Sequence, residues 1–119
     1  MTTHKMLLIS TGGTIGGEIA KRKKHEDEEY AKAEAFSELT RDTVSYLKKE
    51  YDIDADIEPE EFCEVDSSDI KPSHWTGLSE LVHNKFNEYD SFVITHGTNT
   101  LGYTCAALSF ALVNPGKPV

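Results

Sequence analysis

Three short stretches with the pattern of strands, each ending in polar residues and followed by a helical pattern, constrain the fold of this chain more than any other feature. They are residues 5–10, 61–65 and 91–95. The first is a continuous apolar run, as expected of a strand that is buried on both faces of a parallel sheet. Strands that alternate with helices in this way predict an α/β fold with an open, mostly parallel, three-layered sheet and right-handed crossovers.

The segments that follow the strands differ in how they present apolar residues. Residues 36–51 carry an apolar stripe at helical spacing, with two lysines near the end that favour a helix C-terminus. A second helix is predicted over residues 72–90, capped at its start by the Pro-Ser pair. A third, over residues 101–113, is apolar nearly all round, which predicts that it is covered. Residues 18–34 have no apolar stripe, so we predict a mobile surface loop there.

Composition restricts the partners of the chain. Its 119 residues suffice for one domain with one core, and 21 acidic against 12 basic side chains give a formal net charge of −9. A surface of this sign repels phosphate backbones and anionic lipid headgroups, so neither nucleic acid nor a membrane is an expected partner. The apolar run at residues 6–10 is too short for a secretion signal, which predicts a cytoplasmic protein.

The cysteines and histidines form no metal-binding or redox motif in the sequence. Cys63 and Cys105 lack CxxC spacing and are expected to be buried, reduced thiols. His74 and His83 are nine positions apart on one predicted helix, which places them on opposite faces. We therefore predict neither a metal site nor a cofactor.

Polar clusters follow all three predicted strands, and a parallel sheet brings the carboxyl ends of its strands to one edge. The clusters are residues 11–17, 66–69 and 96–100. An edge rich in hydroxyl groups suits a small polar substrate and a hydroxyl nucleophile. The hydroxyl residues in question are Thr11, Thr14, Ser67, Ser68, Thr98 and Thr100.

The glycine-rich turn after the first strand does not fit the known nucleotide-binding loops. A dinucleotide fingerprint requires GxGxxG, but positions 14 and 15 hold threonine and isoleucine. A phosphate-binding loop requires Gly-Lys-Ser/Thr, but Gly17 is followed by Glu18. Nucleotide binding is therefore disfavoured.

The order and spacing of the three clusters resemble those of one family. The sequence TGGTI at residues 11–15 is similar to the amino-terminal signature of the L-asparaginases, and HGTNT at residues 96–100 resembles their second signature. DSSD at residues 66–69 resembles the substrate loop between the two. The resemblance covers essentially the whole chain and implies the amino-terminal α/β domain of a cytoplasmic, type I-like L-asparaginase.

The resemblance implies roles for particular residues in the hydrolysis of L-asparagine to L-aspartate and ammonia. Thr14 would be the nucleophile that attacks the side-chain amide and forms an acyl-enzyme, and Thr98 would be the second catalytic threonine. Tyr30, in the charged loop, would close over the site and hydrogen-bond Thr14. Ser67 and Ser68 would bind the α-carboxylate of the substrate or orient its backbone.

Further residues of the same signatures have expected roles in binding or in structure. Gly12 and Gly13 allow close approach of the backbone, whose amides can face a developing oxyanion. Asn99 belongs to the predicted catalytic and substrate-binding set, but the family has aspartate there, which binds the substrate ammonium and supports a Thr-Asp-Lys relay. We expect Thr100 to cap the third helix and His96 to be a structural hydrogen-bonding residue rather than a base.

The family also continues beyond the position that corresponds to Val119, into the rest of this domain and a smaller carboxyl-terminal one. Its relay lysine lies beyond that position as well. The resemblance therefore implies a domain, residues 1–119, that is truncated at its carboxyl end and inactive by itself. A missing strand leaves an open sheet edge. We expect a homo-oligomer or pairing with a missing carboxyl-terminal half.

Two other functions stay open. The ammonia-releasing subunit of the glutamyl-tRNA amidotransferase uses the same threonine chemistry on glutamine. It carries an extra domain before its TGGT signature, whereas here the signature begins ten residues from Met1, which favours an asparaginase. A catalytically silent module that binds an amino acid or pairs with a full-length homologue is favoured instead by Asn99 and by the early end of the chain.

Overall fold

The computed structural model describes residues 3–12 and 28–119, and for residues 28–33 it describes the backbone alone. Within this part of the chain, three parallel strands form one sheet in the order β2-β1-β3. The strands are β1 (His4–Ser10), β2 (Ala55–Glu61) and β3 (Ser91–Thr95), and the α-helices are α1 (Glu28–Tyr51), α2 (Pro72–Lys85) and α3 (Leu101–Ala111). The predicted α/β fold with an open parallel sheet is confirmed.

The connections reverse direction at the central strand, β1. The crossover from β1 leads to one edge of the sheet, and the crossover from β2 returns past β1 to the other edge. Since both are expected to be right-handed, α1 and α2 lie on opposite faces of the sheet. In open α/β sheets a ligand crevice forms where the strand order reverses, outside the carboxyl ends of the strands. By that rule a ligand crevice is expected at the ends of β1 and β3.

One hydrophobic cluster fills the face of the sheet that α2 and α3 cover. Leu7 and Ile9 point to the same face of β1, because strand side chains alternate, and both are fully buried. Burying a side chain of this kind contributes about 1.5–3 kcal/mol. The other buried members of the cluster are Leu78, Val82, Tyr89, Phe92 and Leu108.

The second strand lies earlier in the chain than its sequence pattern predicted. β2 runs from Ala55 to Glu61, not over residues 61–65, and its register places Pro59 opposite Leu8. Proline has no backbone N–H to donate, and it is tolerated at this position because β2 lies at the edge of the sheet. Residues 62–65 still lie beside the end of β1, since Phe62 N–H donates to the carbonyl of Ser10 at 2.9 Å. The alternation of apolar and polar residues that predicted a strand over residues 61–65 therefore lies mainly in an irregular segment that follows β2.

Two helix boundaries also differ from the prediction. α1 begins at Glu28, so residues 28–34 are helical rather than part of a loop, whereas residues 18–27 lie outside the described residues. α2 ends at Lys85 instead of near residue 90. Its N-cap is Lys71, whose N–H donates to Nδ1 of His74 at 2.8 Å, and Pro72 takes the first helical position, so Ser73 is not the cap.

The third helix is not covered within the described part of the chain. Tyr103 is 71% exposed and Phe110 84% exposed, which contradicts the expectation of a buried helix. Cys105 on the same helix is exposed and Cys63 is half-buried, so the expectation of two buried thiols is wrong as well. Both cysteines are free thiols, as predicted. No helix in the described segments is both long and apolar enough to cross a membrane.

A charged cluster ties β1, β2 and the end of α2 together. Lys5 pairs with Glu58 at 2.9 Å, the Tyr89 hydroxyl donates to the same carboxylate, and Lys85 pairs with Glu60 at 2.7 Å. The hydrogen bond from Tyr89, followed by that from Lys5, lowers the pKa of Glu58 below its usual range. The Glu58 carboxylate in turn raises the pKa of Tyr89. The cluster therefore holds Glu58 as an anion.

Lys117 fastens the last residues of the chain to the sheet. Its Nζ donates to the carbonyl oxygens of Phe86 and Tyr89, at 2.6 and 2.8 Å. These carbonyls lie just after α2, where a cation also interacts favourably with the helix dipole. Phe92 N–H then donates to the carbonyl of Pro118 at 3.0 Å. Residues 117 and 118 thus lie beside β3.

Candidate active site

The turn after β1 is packed directly on the backbone that follows β2. Gly12 has φ +93°, a conformation that favours glycine. A Cβ added there would lie 2.8 Å from the backbone nitrogen of Val65 and 2.9 Å from Cα of Glu64. A side chain at this position would force the two segments apart, so Gly12 is required for both conformation and space.

Thr11 joins the ends of all three strands. It is 2% exposed, and its hydroxyl donates to the carbonyl of Thr95 at the end of β3, at 2.8 Å. Its own carbonyl accepts from the N–H of Val65 at 3.1 Å. Thr11 was predicted to contribute to a hydroxyl-rich edge, but its hydroxyl is used internally. It is a structural tie that holds the loops together.

The loops after β2 and β3 meet at Ser67 and Gly97. Ser67 begins a short 3-10 helix, Ser67–Asp69, and is 5% exposed. A Cβ on Gly97 would lie 2.7 Å from Oγ of Ser67 and 2.8 Å from its Cβ. The Thr100 hydroxyl donates to the Ser67 carbonyl at 2.6 Å. Thr100 occupies the predicted N-cap position of α3, but its side chain makes no capping bond.

A polar chain crosses the same junction at the surface. Asn99 Nδ2 donates to Oγ of Ser68 at 3.1 Å, which brings together two predicted site residues that are 31 positions apart. Asp66 accepts from the N–H of Ser68 at 2.8 Å and caps the 3-10 helix. That backbone bond, with a second from the Ser68 hydroxyl, lowers the pKa of Asp66. An anionic carboxylate therefore stands behind the serine, a contribution that the sequence motif did not reveal.

The remaining predicted residues of the second signature behave differently from one another. Thr98 is exposed at the turn between Gly97 and Asn99, on the side of the sheet where the loops converge. His96 makes two side-chain contacts, to the carbonyl of Gly97 at 2.7 Å and to the hydroxyl of Thr104 at 2.9 Å. The expectation that His96 is a structural hydrogen-bonding residue is confirmed.

Three predicted site residues are not described at the level of their side chains. Gly13 and Thr14 lie outside the described residues. Tyr30 belongs to α1 by its backbone, so the prediction that it lies in a loop is wrong. The roles expected of these three residues stay predictions. Within the described segments, no three His, Cys, Asp or Glu side chains are grouped in a way that could hold a metal ion.

Known proteins are similar to this chain in sequence and in fold. The family model described as "Asparaginase, N-terminal" matches residues 5–119. The L-asparaginase of Thermococcus kodakarensis is 37% identical over 115 residues, which are 97% of this chain and 32% of that protein. A glutamyl-tRNA(Gln) amidotransferase subunit of Pyrococcus abyssi is 34% identical over 116 residues, 97% of this chain and 24% of that protein.

A solved structure agrees with these relatives. The crystal structure of L-asparaginase I from Vibrio cholerae superposes with a TM-score of 0.64 at 27% identity, covering 92% of this chain and 30% of that one. The chain thus spans about a quarter to a third of the length of these proteins. It belongs to the asparaginase family and corresponds to that family's amino-terminal domain.

Proposed function

We propose that this chain forms the amino-terminal part of a cytoplasmic L-asparaginase that hydrolyses L-asparagine to L-aspartate and ammonia. The observation that supports it most directly is the contact between Asn99 and Ser68, because it joins the two loops to which the family signature assigns substrate binding. Beneath that pair, Gly97 and Ser67 leave no space for a side chain on Gly97. A small polar substrate at the ends of β1 and β3 would meet hydroxyl, amide and backbone groups from all three loops.

In the proposed reaction the Thr14 hydroxyl oxygen attacks the side-chain carbonyl carbon of asparagine and loses its proton. Backbone amides near Gly12 and Gly13 stabilise the oxyanion of the tetrahedral intermediate. The C–N bond breaks, the amide nitrogen leaves as ammonia after it takes up a proton, and Thr14 remains acylated. Water then attacks the ester, releases aspartate and returns a proton to Thr14. Tyr30 is proposed to close over the nucleophile during these steps.

The second signature is proposed to bind the substrate and support the nucleophile. Thr98 would contact the reacting amide. Ser67 would hold the α-carboxylate, and Ser68, whose hydroxyl donates to Asp66, would orient the substrate backbone. The uncharged Asn99 lacks the carboxylate that would attract the substrate ammonium, and a hydrogen bond to a charged group contributes about 1.5–3 kcal/mol. We therefore propose that the 119-residue chain has at most trace activity by itself. We also propose that the enzyme works as a homo-oligomer.

Glutamine is the second candidate substrate. The Pyrococcus abyssi relative belongs to a glutamyl-tRNA(Gln) amidotransferase and matches nearly the whole chain at 34% identity. The same threonine chemistry on glutamine would release ammonia for transfer to another acceptor. Ammonia release from asparagine and from glutamine, measured side by side, separates the two functions: a higher kcat/KM for glutamine would favour the amidotransferase-like function.

The test uses the chain fused to the region that follows the matched segment in the Thermococcus kodakarensis L-asparaginase. We expect Asn99→Asp in this fusion to raise kcat/KM for asparagine about ten- to a hundredfold, which corresponds to the roughly 1.5–3 kcal/mol of a restored charge-assisted contact. Thr14→Ala should abolish activity. Thr43→Ala is the matched control, since the Thr43 hydroxyl is exposed and donates to the carbonyl of Leu39 in its own helix.

The outcomes separate the proposed enzyme from its rivals. If Thr14→Ala retains activity, the nucleophile is misassigned and the proposed mechanism is wrong. If Asn99→Asp changes nothing while the fusion binds asparagine by calorimetry, the chain is better described as a catalytically silent binding module. Equal loss of activity in Thr43→Ala would mean that folding rather than chemistry was measured.

A further inference from the structure

A chain of hydrogen bonds lies behind the loop that carries Thr98 and Asn99. Nε1 of Trp75, on α2, lies 2.9 Å from the hydroxyl oxygen of Thr104, on α3. That hydroxyl lies 2.9 Å from Nε2 of His96, and Nδ1 of His96 lies 2.7 Å from the carbonyl oxygen of Gly97. Thr104, the central member, is 2% exposed. The chain links both helices that cover the sheet to the loop after β3.

The chemistry of the four groups forces one direction on this chain. An indole N–H can only donate, so the Thr104 oxygen accepts from Trp75. A carbonyl oxygen can only accept, so Nδ1 of His96 must carry a proton that it donates to Gly97. In a neutral imidazole Nε2 is then bare and accepts the Thr104 hydroxyl proton. Every donor and acceptor is used once, and the tautomer of His96 is determined.

We propose that Trp75, Thr104 and His96 are positioning residues that fix the Gly97–Thr98 peptide. Gly97 is held from two sides: its Cα packs against Ser67, and its carbonyl is held by the imidazole. The orientation of this peptide determines where the backbone of Thr98 and Asn99 lies. Through these hydrogen bonds, the positions of α2 and α3 determine where Thr98 and Asn99 lie.

The catalytic consequence rests on the proposed asparaginase function, but the geometry does not. The polar side chain of Thr104 is buried at a position where valine would fill the same space. A hydroxyl that only packed would leave the loop unchanged when replaced by a methyl group. A hydroxyl that relays a hydrogen bond would, on removal, leave the indole N–H and the imidazole nitrogen without their partner.

The first measurement is the tautomer of His96 in the 119-residue chain, from long-range nitrogen–proton correlation spectra of the ¹⁵N-labelled protein. The spectra are recorded at about pH 8, because an unperturbed imidazole, with a reference pKa of about 6.5, is neutral at that pH. His96→Gln identifies the signals of His96 among the five histidines. We expect one tautomer, with a protonated Nδ1 and a bare Nε2. A protonated Nε2, or averaging between the tautomers, would overturn the proposal.

The second measurement compares variants of Thr104 by amide shifts. We expect Thr104→Val to shift the amide signals of Thr98 and Asn99 and Thr104→Ser to restore them, while the Gly97 carbonyl keeps Nδ1 of His96 protonated in both variants. Thr76→Val is the matched control, because the Thr76 hydroxyl is exposed and faces the carbonyl of Pro72 in its own helix. If Thr104→Val disturbs α3 alone and leaves Thr98 and Asn99 unchanged, the positioning role is refuted.

These readouts need neither turnover nor substrate. A failure of the proposed function would appear as no ammonia release from asparagine or glutamine by the Asn99→Asp fusion, with the His96 tautomer of the 119-residue chain intact. A failure of the positioning role would appear as the wrong tautomer or an unchanged loop, whatever the fusion does. The two results are therefore distinguishable.

Discussion

Gly97 and Ser67 meet with no room for a side chain between them, so Gly97→Ala tests how tightly the two site loops are joined. The added Cβ would lie 2.7 Å from Oγ and 2.8 Å from Cβ of Ser67. Ser67 cannot easily retreat, because it is 5% exposed and its carbonyl is bonded by Thr100 at 2.6 Å. Overpacking of this kind costs about 1–3 kcal/mol. We expect a loss of unfolding free energy in that range.

Urea unfolding followed by circular dichroism measures the effect. With a typical m-value of about 1.5 kcal/mol/M, the midpoint should fall by roughly 0.7–2 M. Gly102→Ala is the matched control, since a Cβ there meets nothing within 4 Å and alanine is favoured over glycine in a helix by about 0.5–1 kcal/mol. It should be neutral or stabilising.

A double-mutant cycle locates the strain. Ser67→Gly removes the two side-chain atoms that would lie closest to the new Cβ. Gly97→Ala should therefore cost less in that background than in the parent chain, by about 0.5–3 kcal/mol as expected for residues in contact. If Gly97→Ala lowers the unfolding free energy equally in both backgrounds, the loss does not come from contact with the Ser67 side chain. A neutral Gly97→Ala would show that the loops are not packed as described.

Three further outcomes are expected. The pKa of Glu58 in the folded chain lies below its ordinary value of 4.5. The stability that this carboxylate contributes is therefore fully present above about pH 4.5 and is lost as the pH falls through the folded pKa. In urea unfolding across pH, the unfolding free energy of Glu58→Gln should decline less steeply in acid than that of the parent chain. Lys117→Met removes two bonds to backbone carbonyls and should lower the unfolding free energy by about 1–3 kcal/mol, whereas the exposed Lys49→Met should change it by less than about 0.5 kcal/mol. Cys105, which is exposed, should react with a thiol reagent faster than Cys63, because burial raises the pKa of the Cys63 thiol; equal rates would contradict the described burial.

Some elements were predictable because their signals are local. β3 was predicted over residues 91–95, as observed, since a short apolar run is bounded there by polar residues. β2 was missed because its sequence, ADIEPEE, is acidic and contains a proline. That sequence is compatible with a strand only because β2 lies at the edge of the sheet, where the proline disrupts no ladder and Glu58 and Glu60 find lysine partners. Whether this acidic, proline-containing sequence can form a strand thus depends on the order of strands in the sheet.

The site divides in the same way. The sequence alone determined that the three hydroxyl-bearing clusters follow strands of a parallel sheet, which brings them to one edge, and that their motifs resemble those of the asparaginases. The tertiary structure alone decided what each hydroxyl does: those of Thr11 and Thr100 bond backbone carbonyls on other loops, whereas the Ser68 hydroxyl accepts from Asn99 at the surface. The physical reason is that a hydroxyl can donate or accept in any direction. Its role is settled by the partners that folding brings within about 3 Å, and those partners lie some 30 to 80 positions away in the sequence.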